Sequence, residues 1–111
     1  MDDDNLQQKI INWPYTSSFN ELLELVKEEW AYPSYFSRMK DRPSHLSWRT
    51  ILKEKGTWWV VSTGGMSDNE FLIGCLKQNA MFWIMCWQAS FVGGHFIFYV
   101  SDTQDKQKES G

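Results

Sequence analysis

Apolar positions at Phe19, Leu22, Leu23, Val26 and Trp30 recur at helical spacing on one face. Immediately before them, Ser18-Phe-Asn-Glu21 reads as a capping box, in which the serine accepts from an orphan amide of the first turn. The pattern predicts an amphipathic helix whose opposite face carries Glu21, Glu24, Glu28 and Glu29 against Lys27. Pro33 bars its continuation. A second, shorter helix is expected over residues 44–55, with Trp48, Ile51 and Leu52 as its apolar positions and Gly56 as its stop.

From Thr57 to Ser62 the pattern changes to a Trp- and Val-rich run, too apolar for either face to be fully wet, which predicts a strand. Residues 67–88 are expected to form one long central helix. At 100° per residue, Glu70, Lys77 and Gln88 make a narrow polar stripe and nearly every other side is apolar, so burial on most sides is required. Gly74 lies beside that stripe and is expected to admit another backbone closely. Met81, Ile84 and Met85 project on or near it, so that the domain or a partner must cover them. His95 to Ser101 is the second clear strand.

These elements describe a small α+β single domain: two N-terminal helices, then a strand-helix-strand unit around a largely buried central helix, with a few-stranded sheet. A parallel βαβ crossover and an antiparallel arrangement both stay open. Two strands make a poor sheet, so a third is expected from residues 8–13 or from another subunit. The folded unit is expected over 10–101, with 1–9 and 102–111 as flexible tails.

Bulk properties narrow the function classes. A chain of 111 residues with 42% hydrophobic residues and seven tryptophans can fill one core. A net charge of -3 fits neither a polyacidic nucleic-acid mimic nor a uniformly basic nucleic-acid binder. The longest apolar run, Ala80 to Trp87, is far short of the roughly 20 residues of a membrane span, and the acidic start is unlike a signal peptide. No membrane is expected, and a cytoplasmic location is. Cys75 and Cys86, placed on one helix, would lie about 16 Å apart and could not bridge; they read as small apolar residues.

Candidate chemistry is sparse. Gly64-Gly65 follows a strand and precedes a helix, the right order for a phosphate-cradling loop. Against that, Ser67-x-x-Glu70 reads as a second capping box, and Asp68 and Glu70 would repel an anion, so a helix-starting turn is the favoured reading. Gly93-Gly94, before His95, is expected to line the same end of the sheet. With His45 and His95 the only histidines and no paired-cysteine spacing, no metal and no cofactor are expected. His95 and Ser67 are weak catalytic candidates, with Asp68 or Glu70 as orienter, and no nucleophile motif supports them. Between residues 31 and 56, Arg38, Lys40, Arg42, Arg49, Lys53 and Lys55 stand against Asp41 and Glu54, a local net of +4, with Tyr32, Tyr35, Phe36 and Trp48 interleaved. Basic groups with aromatics suit nucleic acid or a nucleotide; a solvated face is the plainer alternative.

"STGGMSDNE", "NAMFWIMCW" and "SFVGGHFIFYV" together resemble a signature of small uncharacterised bacterial, phage and mobile-element proteins, in which a T-G-G-W-S-x-N-E start leads through an F-W…W helix to an R-G-G-H strand. The resemblance spans residues 57–101 and departs at Met66, in place of tryptophan, and at Val92, in place of arginine. It implies an origin and no activity.

Small size, one acidic and one basic surface and abundant aromatics favour a stoichiometric protein-binding module, of the kind with which a phage or mobile element inhibits a host enzyme or defence complex. Its expected partner surface is Glu21, Glu24, Glu28, Met81 and Met85. The alternatives are a nucleotide or single-stranded nucleic-acid binder using residues 32–55, and a small enzyme centred on His95. A homodimer is compatible with the thin sheet.

Overall fold

The computed structural model describes residues 3–41, 43 and 55–105. All but Lys55 of the helix expected over 44–55, including His45, Trp48, Arg49 and Lys53, lies outside the described residues, as does Arg42. What is described is an α+β domain with the chain order α1 (Asp3–Ile11), α2 (Phe19–Glu28), a 3-10 turn (Pro33–Tyr35), β1 (Phe36–Met39), β2 (Gly56–Ser62), α3 (Ser67–Gln78), α4 (Ala80–Cys86), β3 (Trp87–Phe91), β4 (His95–Ser101) and α5 (Asp102–Asp105).

The sheet has four strands in the order β1-β2-β4-β3, every pair antiparallel. Among the described residues no parallel crossover forms. The two additional strands are β1 and β3, whereas residues 8–13, expected as a possible strand, belong mostly to α1 and the turn after it. Alternation sorts the strand side chains. Phe36, Trp59, Val61, Phe96, Phe98 and Val100 face the helices and join Phe19, Leu22, Leu23, Val26, Leu72, Leu76 and Phe82 in the main core. Trp58, Ile97 and Tyr99 make a second buried cluster on the other side.

Helix α2 forms as its periodicity dictates, with Ser18 as N-cap accepting from the Glu21 amide at 3.4 Å. The central helix does not run from 67 to 88. It breaks at Asn79, and residues 87–91 leave it for the sheet. Asn79 caps α4 by accepting from the Phe82 amide at 3.1 Å, while its Nδ2 donates to the carbonyls of Ile10 and Trp13 at 2.9 and 3.0 Å. One buried amide therefore starts α4 and closes the exposed end of α1. An asparagine inside an apolar run competes with the helix for backbone partners, and here that competition wins.

Both presumed tails carry structure. Residues 3–9 form most of α1, and Leu6 is buried in the main core. After β4, Gln104 is buried: its Oε1 accepts from the Phe19 amide at 2.7 Å, and its Nε2 donates to Tyr15 and Ser17 carbonyls at 3.1 and 2.6 Å. The Ser18 hydroxyl donates to Asp105. Gly56 is the first residue of β2. A Cβ there would collide with the Val100 carbonyl and the Tyr99 ring.

The tryptophans serve the core more than the surface. Trp59 Nε1 donates to buried Asn20 Oδ1 at 2.8 Å, Trp30 Nε1 to the Ser62 carbonyl at 3.1 Å and Trp13 Nε1 to the Ser18 carbonyl at 3.1 Å. Trp59 and Trp30 are buried and Trp13 half-buried against the core, each with its one donor satisfied. Cys75 and Cys86 are buried on separate helices, α3 and α4, and burial pushes the Cys86 thiol far above its ordinary range.

Candidate functional site

Three loops meet at one end of the sheet: 30–35 after α2, 62–66 after β2 and 91–94 after β3. Buried Asn69 on α3 ties the first two together. Its Oδ1 accepts from the Ala31 amide at 2.8 Å, and its Nδ2 donates to the Ala31 and Thr63 carbonyls at 3.0 and 3.2 Å. The Thr63 amide donates to the Gly94 carbonyl at 3.0 Å, which joins the third loop. Gly64, Gly65, Gly93 and Gly94 all have positive φ, and Gly94 also lies where a Cβ would strike Thr63 Oγ1. The two glycine pairs do line the same end of the sheet.

The second capping box does not form. Met66 is the N-cap of α3 and its side chain makes no cap bond; Ser67 is already inside the helix. The Met66 amide donates back to the Thr63 carbonyl at 3.0 Å, so the chain turns one residue earlier than the serine spacing implies. Asp68 and Glu70 in the first turn still oppose an anion.

Between α3 and this loop end lies a groove of about 220 Å³, lined by Thr63, Glu70, Ile73, Gly74, Lys77, Gly94 and Phe96. Lys77 Nζ lies 5.7 Å and 5.5 Å from the ring centroids of Trp83 and Phe96. Gly74 does not admit a second backbone: a Cβ there would meet nothing within 4 Å. Lys77 and Gly74 were visible in the sequence only as a polar stripe and a helix-interior glycine, and nothing in the spacing joined them to Gly94.

His95 is exposed, and its ring lies beside Gly93. It shares the β4 face of Ile97 and Tyr99, whereas Phe96 on the other face borders the groove with Glu70. The sheet thus separates His95 from Ser67, Asp68 and Glu70, and the catalytic grouping is not assembled. Among the described residues, no three His, Cys, Asp or Glu side chains converge as metal ligands.

Of the basic stretch, Arg38, Lys40 and Lys55 are described. Arg38 is held by the protein itself: its guanidinium donates to Glu24 Oε1 at 3.1 Å and lies 5.3 Å from the Trp59 ring centroid. Here the acidic helix and the basic stretch meet each other. Lys40 and Lys55 are exposed, and Tyr35 packs beside Gly64 with its ring 6.0 Å from Tyr32. Glu21 and Glu28 remain exposed on α2.

A different surface is apolar. Met81, Ile84 and Met85 share one face of α4 and are 42%, 76% and 42% exposed. Trp87 continues from them into β3, which is an edge strand, and is also exposed. The break at Asn79 produces this arrangement, because restarting the helix leaves Phe82 and Cys86 as the buried positions of α4. Val92, where the resembled signature has arginine, is fully exposed at the tip of the β3-β4 hairpin.

Among the described residues, no helix is long and apolar enough to cross a membrane. No family model matches the chain, and neither a curated protein nor a solved structure matches it.

Proposed function

We propose that the protein is a stoichiometric protein-binding module whose contact surface is the exposed face of α4 with the adjoining edge strand β3. The observation that carries this reading is the outward apolar set Met81, Ile84 and Met85 followed by Trp87. Methionine adapts to irregular partner surfaces, and a tryptophan beside it supplies a large anchor. The edge strand β3 lies next to these side chains, where strand addition would place a partner's backbone. Inhibition of a larger host enzyme or defence complex is the use to which such a module is put in this reading.

Affinity capture from host lysate, with nuclease and at low and high salt, tests it. The reading expects one stoichiometric protein that survives both treatments and is lost with Ile84→Glu. Recovery of nucleic acid alone, or of proteins released by nuclease, sinks it in favour of the basic stretch.

A further inference from the structure

The groove between α3 and the glycine loops is distinct from the α4 surface and has its own chemistry. Glu70, Gly74 and Lys77 follow at intervals of four and three, so they lie along one face of α3. The two residues thus stand at the two ends of the groove's α3 wall, their backbones about 10 Å apart along the axis at ~1.5 Å per residue. They are not paired with each other, since the ion pair found among the described residues is Arg38–Glu24. The aromatic faces of Trp83 and Phe96 instead hold the Lys77 ammonium.

Gly74 is the second observation. Glycine inside a helix costs about 1 kcal/mol relative to alanine. Its φ is not positive, and no neighbouring atom lies within 4 Å of where a Cβ would be. Neither backbone geometry nor packing requires glycine here. What its bare Cα leaves is open floor between the two charges, and Ile73 and Phe96 supply apolar walls.

We propose that this groove binds a small linear zwitterion, an ω-amino acid or a dipeptide, with its ammonium end at Glu70 and its carboxylate end at Lys77. The volume of about 220 Å³ lies below the ~300–1,000 Å³ of sites for drug-sized ligands, which fits a molecule of few heavy atoms. An α-amino acid holds its charges too close together to reach both ends. A dianion such as phosphate is opposed by Glu70.

Titration of the full chain with δ-aminovalerate, followed by tryptophan fluorescence and amide NMR shifts around residues 70–77, tests the proposal, with valerate and pentylamine as single-charge controls. A second charged contact should tighten the zwitterion about tenfold over either control, and Glu70→Gln or Lys77→Met should each remove about that factor. Gly74→Leu, which keeps the helix and fills the floor, should abolish binding while the protein melts no lower than the wild type. Absence of a saturable shift with δ-aminovalerate overturns the proposal. So does equal binding of a control, or unchanged binding by folded Gly74→Leu.

Discussion

Replacing Asn79 with alanine removes a helix cap and two donors to the end of α1 at once. Loss of a cap costs about 1 kcal/mol and the Trp13 carbonyl left without this donor a further ~1–3 kcal/mol, while the Ile10 carbonyl keeps the Trp13 amide, so a loss of about 2–4 kcal/mol in urea unfolding is expected. Two glycines should respond with opposite sign. Gly74→Ala should raise stability by up to about 1 kcal/mol, because the added methyl meets nothing. Gly94→Ala should lower it by about 1–3 kcal/mol, since a Cβ there meets Thr63 at a φ of +80° that alanine adopts poorly. Differential scanning calorimetry of the pair reads both signs. Cys86 adds a pH dependence. Its thiol stays neutral in the folded protein well beyond the ordinary value of 9.0, so the unfolded chain loses that proton first. Stability from this group is present below that value and falls as pH rises above it, and Cys86→Ala should flatten the alkaline limb of a stability profile.

Among the elements, α2, β2 and β4 were legible because each is long enough to show its own period, and Ser18 marked the start of α2. The segment 67–91 was not, because an apolar run reads the same in a buried helix and in a helix that ends and restarts. Asn79 was the available signal, and its weight depends on Ile10 and Trp13, far away in sequence. Residues 102–105 looked like tail because a polar composition gives no hint that Gln104 satisfies three backbone groups around α2. A chain ending at Ser101 should therefore unfold at lower urea, by about 2–4 kcal/mol if two or three of those bonds go unreplaced. Lys77 joined a site only through the fold, since Gly94 lies seventeen positions on and reaches the groove by the antiparallel return of β4.

At the scale of the molecule, charge and aromatic content pointed to binding surfaces but not to which ones. Trp30, Trp58 and Trp59 are spent inside, and Arg38 and Glu24 pair with each other. Among the apolar side chains that stay outward, Met81, Ile84, Met85 and Trp87 lie along the α4 face and the β3 edge, which emerge from the break at Asn79. The central claim is that this face receives a protein partner. Its most direct test places a photo-reactive residue at position 84, with position 15, an exposed aromatic outside that face, as the comparison. The account predicts one discrete heterologous adduct, formed on irradiation in the host from position 84 and not from position 15. Equal adducts from both positions, no adduct at 84, or a product of two copies of this chain would contradict it.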